Sequence, residues 1–213
     1  MAEMLASELI NSKLHTIENH NWDQKMNANR IKKVVVVYDK GSRGKSTVLR
    51  MLCQQLLVGK TSADYQLWKP DAYNDLANPP NGIQENKPDV MLAVKHEGKL
   101  VGVGTAGDVI DVVLRNFMFF DKWYPELNFD VVFVAVRKQE RRDGLGDCGR
   151  SFPLIVLEDF ESRFDLNVIR PFVSINYQTN KPSAGASQQA KDAFLQRCVA
   201  ANTQTVQQLF QMI

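Results

Sequence analysis

Val34-Val35-Val36-Val37-Tyr38-Asp39-Lys40-Gly41-Ser42-Arg43-Gly44-Lys45-Ser46-Thr47 is an apolar β-branched run that enters a glycine-bearing turn and then a helix-forming segment. Four consecutive valines predict a strand buried on both faces, as in a parallel sheet. Gly41 and Gly44 lack the Cβ that would keep a ligand from the turn's backbone N–H groups. The helix that follows opens with unpaired N–H groups and a dipole that favours an anion. In such a phosphate-binding loop Lys45 reaches the terminal phosphates as a point charge. The Ser46 hydroxyl takes one position on Mg²⁺, and Thr47 lies one residue further into the anion site.

The general form of this loop is G-x-x-x-x-G-K-[ST], and Asp39 stands here at its first position. Aligned on Gly44-Lys45-Ser46, the segment from Lys40 to Thr47 resembles the K-G-G-x-G-K-[ST] variant loop of the ParA and MinD class of ATPases, with Ser42 in place of the second glycine. The resemblance implies a P-loop NTPase-like three-layer sandwich, ATP or another nucleoside triphosphate with Mg²⁺ as ligand, and the residues Lys40, Gly41, Ser42, Arg43, Gly44, Lys45, Ser46 and Thr47 as its binding loop. It also implies a homodimer in which Lys40 acts on the partner's nucleotide.

Outward from the loop, the 213 residues, 44% of them hydrophobic, are enough for one α/β domain over 31–213 with an N-terminal helical extension over 1–30. Within that extension Met4, Leu5, Leu9, Ile10, Leu14 and Ile17 have amphipathic spacing. Strands are expected at 31–38, 65–68, 90–94, 100–103, 129–136 and 168–177, and helices at 44–57, from 104–108 through Phe120, and at 188–213. His96-Glu97-Gly98-Lys99 reads as the turn of a hairpin. Strands alternating with helices predict a mainly parallel, doubly wound sheet with an antiparallel hairpin. The last helix is expected to bury Phe194, Leu195, Cys198, Val199, Val206, Leu209 and Phe210. The stretch 70–88 is too long and polar for a simple connection and is expected to be a mobile or substrate-facing loop.

A net charge of +2 supplies no global basic field for nucleic acid. Cys53, Cys148 and Cys198 are odd in number and lack ligand spacing, which suits free thiols in a cytoplasmic protein. The longest apolar runs are strand-sized, so no membrane span is expected.

A phosphate loop needs a carboxylate that holds Mg²⁺ directly or through water. Asp108, after the small-residue turn Gly104-Thr105-Ala106-Gly107, is the leading metal and catalytic candidate, with capping of the next helix as its ordinary role. Glu158 and Asp159, after Leu154-Ile155-Val156-Leu157, are the other pair. Asp130 precedes its strand, the wrong end for a ligand. Arg137, Lys138, Arg141, Arg142 and Arg150 could form a phosphate-clamping lid or a solvated loop interleaved with Glu140, Asp143 and Asp147. Trp22, Trp68, Trp123, His15, His20 and His96 show neither base-stacking nor metal spacing.

The expected function is Mg²⁺-dependent binding of a nucleoside triphosphate by an ATPase or switch, with Lys45, Lys40 and Asp108 as catalytic residues. The alternatives are a nucleotide or small-molecule kinase, and a non-hydrolysing scaffold. GTP is disfavoured because Asn86-Lys87-Pro88-Asp89 has the letters of a guanine-reading motif but lies before a strand rather than after a late one.

Overall fold

The computed structural model describes residues 31–39, 44–68, 89–107, 120, 128–137 and 165–169, and residues 180–213; side chains of Trp68 and of 165–169 are outside the description. Six strands form one sheet: β1 (Lys33–Asp39), β2 (Tyr65–Trp68), β3 (Met91–His96), β4 (Lys99–Gly104), β5 (Val131–Arg137) and β6 (Asp165–Ile169). Two helices accompany them, α1 (Lys45–Leu57) and α2 (Gln188–Phe210). The strand order is β2-β3-β4-β5-β1-β6. β4, β5, β1 and β6 run parallel, while β2 and β3 join one edge antiparallel. The fold is therefore α/β with a mixed, mainly parallel sheet.

β1 is an interior strand, paired with β5 on one side and β6 on the other. Val34, Val35, Val36 and Val37 are all fully buried, so apolar residues are needed on both faces. Val34 to Asp39 pair in register with Val132 to Arg137 of β5. On one face Val35, Val37, Phe133, Ala135, Val101, Val103, Leu92 and Val94 meet Val48, Leu49, Leu52 and Leu56 of α1 and Val206 and Leu209 of α2. Each fully buried Val, Leu or Phe side chain among these contributes about 1.5–3 kcal/mol relative to an exposed one.

Both described helices lie on that face. The opposite face, with Val34, Val36, Val132, Val134 and Val136, is just as buried. There Phe120 fills the space beside Gly102: its Cε1 and Cζ lie 3.1 Å from where a Cβ would stand. Its ring also meets that of Phe129, centroids 5.1 Å apart.

The hairpin between β3 and β4 turns on Glu97 and Gly98, with φ of 48° and 77°. Two consecutive positive φ values suit the right-handed twist of the flanking strands, which is why a short loop suffices here. Beyond the last helical residue of α1, Leu57, the chain turns at Gly59 (φ 69°), and the Val58 and Lys60 N–H groups return to the Gln55 and Leu57 carbonyls. Ser187 caps α2 by accepting from the Ala190 N–H at 3.3 Å.

Two expectations need correction. The last strand begins at Asp165, not 168, and residues 170–177 lie outside the description. Val199 is 39% exposed, because at about 100° per residue it falls off the stripe that carries Phe194, Cys198, Ala201, Thr205 and Leu209. Thr205 and Asn202 are buried in its stead, Thr205 donating its hydroxyl to the Ala201 carbonyl at 3.1 Å. The expected 1–30 extension and the helix through Phe120 lie outside the described residues, Phe120 excepted.

Candidate functional site at the carboxyl ends of the parallel strands

The chain leaves β1 for the β2 to β5 side of the sheet and reaches β6 on the other side, so strand order changes side at β1. In open α/β sheets ligands bind beyond the carboxyl ends of strands at such a point. The described residues that gather at this edge are Asp39 from β1, Gly44, Lys45 and Ser46 entering α1, Thr105, Ala106 and Gly107 after β4, and Arg137 closing β5.

Gly44 adopts the left-handed conformation, φ 83° and ψ 6°. That geometry penalises a Cβ, which explains a glycine immediately before the helix. Its carbonyl accepts the first helical bond from the Val48 N–H at 2.8 Å. Among the described residues no side chain caps α1, and its first turn has no acidic residue. The helix N-terminus thus retains its electropositive character, reinforced by Lys45, which is only 7% exposed. Such a terminus suits a phosphate: backbone donors and a lysine beyond the carboxyl end of an interior parallel strand.

Ser46 donates its hydroxyl to the Thr105 carbonyl at 2.9 Å, which ties the first turn of α1 to the segment after β4. Its oxygen keeps lone pairs that could take one position on a divalent cation. Thr105, fully buried, is held in turn by residues that precede β3. Its N–H donates to the Val90 carbonyl at 2.9 Å, its hydroxyl accepts from the Val90 N–H at 2.7 Å, and the same hydroxyl donates to the Asp89 carboxylate at 3.2 Å.

Two residues on, the Gly107 carbonyl accepts from the Arg137 N–H at 2.8 Å. A Cβ on Gly107 would stand 1.8 Å from the Ala135 oxygen and 2.4 Å from its carbonyl carbon. Glycine is the residue that permits this approach, and it brings the chain against the end of β5 immediately before Asp108.

Of the expected site residues, Gly44, Lys45, Ser46 and Thr47 are described and stand together at the start of α1. Lys40, Gly41, Ser42, Arg43, Asp108, Glu158 and Asp159 lie outside the described residues, as do Lys138, Arg141, Arg142 and Arg150. Thr47 is 6% exposed. Among the described residues no group of three or more His, Cys, Asp or Glu side chains comes together as a metal centre. Sequence reasoning missed Thr105 as a partner of Ser46; the small-residue run around it was legible, but the contact spans 59 positions.

Asp130 lies at the opposite, amino end of β5. Burial works against its ionisation, but the Lys32 ammonium at 2.7 Å and the Leu100 N–H at 2.9 Å outweigh it and hold the carboxyl below its usual range. It stitches β1, β4 and β5 together away from the candidate site. Cys53, on α1, has its thiol pushed up to about 12 by burial, against the opposing pull of the Arg50 guanidinium, and so stays protonated and unreactive.

No helix of the described residues is long and apolar enough to cross a membrane. No protein-family model, no curated protein and no solved structure matches this chain.

Proposed function

We propose that this protein binds a nucleoside triphosphate with Mg²⁺, ATP by the resemblance of its loop, and works as a P-loop ATPase or nucleotide switch. The observation that carries the reading is the junction of β1 and α1. A left-handed glycine beyond the carboxyl end of an interior parallel strand leads into an acid-free helix, without a side-chain cap among the described residues, whose first residues are Lys45 and Ser46. In this reading the turn and Lys45 hold the β and γ phosphates, Ser46 takes one site on Mg²⁺, and Asp108 positions the metal or its water. The Thr105 to Gly107 segment supports the last assignment by running beside the helix start and the end of β5. Lys40 would act on the nucleotide of a second subunit. Magnesium would neutralise phosphate charge, while these residues bind and orient the triphosphate.

The test is thermal unfolding with ATP and GTP, each with and without Mg²⁺. A ligand at 100 times its Kd stabilises the native state by about 2.7 kcal/mol. For a domain of this size that is a rise of roughly 5–10 °C in Tm. Lys45→Ala should abolish the rise through loss of phosphate contact. No rise for the wild-type protein, or an undiminished one for Lys45→Ala, would refute the assignment.

A further inference from the structure

We infer that Thr105 is a positioning residue for Ser46, setting the Mg²⁺ requirement of the site through the bridge Asp89–Thr105–Ser46; the inference rests on the nucleotide-binding reading above. Serine at the start of a helix has three staggered positions for its hydroxyl. Donation to the Thr105 carbonyl selects one, and leaves the oxygen's lone pairs directed away from Thr105, open to a cation. That selection works only if the carbonyl is itself held still.

Thr105 is held by three hydrogen bonds to the two residues that precede β3, Asp89 and Val90. Its backbone N–H and its hydroxyl both bond Val90, and the hydroxyl spends its proton on Asp89. On the other side, Gly107 is pinned to the end of β5 by the Arg137 N–H and by a backbone approach that excludes any side chain. The carbonyl that Ser46 uses therefore belongs to a segment fixed at both ends by different strands. Packing alone would have been met by valine at position 105; a hydroxyl used simultaneously as acceptor and donor shows orientation at work.

Thr105→Val keeps the shape and the backbone bond to the Val90 carbonyl, and removes the two bonds of the hydroxyl, from the Val90 N–H and to the Asp89 carboxylate. It should raise the Mg²⁺ concentration for half-maximal ATP binding roughly two- to tenfold, the factor that one displaced hydrogen bond is worth. Binding of ATP without Mg²⁺ should stay within twofold of wild type, since Lys45 and the turn are not altered. Thr105→Ser should restore the wild-type Mg²⁺ midpoint. Asp89→Ala, which removes the outer acceptor of the Thr105 hydroxyl, should shift it in the same direction by less. In a Ser46→Ala background Thr105→Val should have no further effect on the Mg²⁺ midpoint, because its influence passes through Ser46.

The experiment is a Mg²⁺ titration of ATP binding by the full chain, at a temperature where every variant is folded. A wild-type Mg²⁺ dependence that Thr105→Val and Asp89→Ala both leave unchanged overturns this inference and spares the nucleotide reading. Should Thr105→Val not fold, an unchanged midpoint in Asp89→Ala overturns it alone. Absence of any nucleotide binding by the wild-type protein overturns the nucleotide reading and this inference with it.

Discussion

Replacing Gly107 by alanine tests the geometry on which the candidate site depends. The added Cβ would lie 1.8 Å from the Ala135 oxygen, 2.4 Å from its carbonyl carbon and 3.0 Å from the Val136 nitrogen. All three atoms belong to the backbone of the buried strand β5, so no side chain can swing aside. Relief requires the 105–107 segment to lift from the strand, and the first bond lost is the one from the Arg137 N–H to the Gly107 carbonyl at 2.8 Å. That bond contributes about 1 kcal/mol, and forcing a methyl group into closed packing costs about 1–3 kcal/mol. The expected destabilisation is thus about 2–4 kcal/mol, out of a total of about 5–15 for a native domain. Urea unfolding followed by circular dichroism reads it as a fall of about 1 M in the midpoint, at an m-value near 3 kcal/mol/M. The same lift should loosen the Thr105 carbonyl from Ser46 and weaken Mg²⁺-dependent nucleotide binding. A midpoint within about 0.2 M of wild type, well under the predicted shift, would show that the segment does not lie against β5 and would remove the geometric support for Asp108.

Two further outcomes probe the frame around the site. Asp130 has a carboxyl held below its usual range, so its contribution to stability is present above the unfolded carboxylate value of about 3.9 and is lost as pH falls through the lower folded value. Asp130→Asn should therefore be less stable than wild type at pH 7, with the gap closing in the acid limb; a gap independent of pH would refute the assignment. Gly98 has φ of 77° and open space where a Cβ would stand, so Gly98→Ala meets only the conformational penalty of the left-handed region, about 1 kcal/mol. Chemical denaturation should show that small loss with an unchanged m-value, and a loss above about 3 kcal/mol would mean that the turn has packing partners beyond its backbone.

Much of the frame was legible because it follows from local rules. The valine run of β1, the runs of β3, β4 and β5 and the helical spacing of α1 all report burial directly, since each buried position needs an apolar residue. The hairpin was readable from Glu97-Gly98 between two apolar segments, because few residues take two positive φ values in succession. The start of β6 was misplaced because Asp165 and Asn167 are polar, while their pairing with Lys33 and Val35 of β1 is decided across the sheet. α2 misled for a related reason: helical spacing marks a stripe, but polar Thr205 and Asn202 are buried on it and apolar Val199 is not, a choice set by what α2 packs against.

The sequence by itself determined that a buried strand would run into a glycine-bearing, lysine-ended turn and a helix, and with that the chemistry such a junction can offer an anion. Those features depend on residues adjacent along the chain, where sterics and the first helical bonds act. Only the tertiary structure decided that β5, not β4, is the neighbour of β1 on that side, that Gly107 lies against Ala135, and that Ser46 finds its partner in Thr105. Each of these joins residues far apart in the chain. Their pairing is settled by which strands close the core and by the need of every buried N–H and hydroxyl for a partner, a condition that adjacent residues do not reveal.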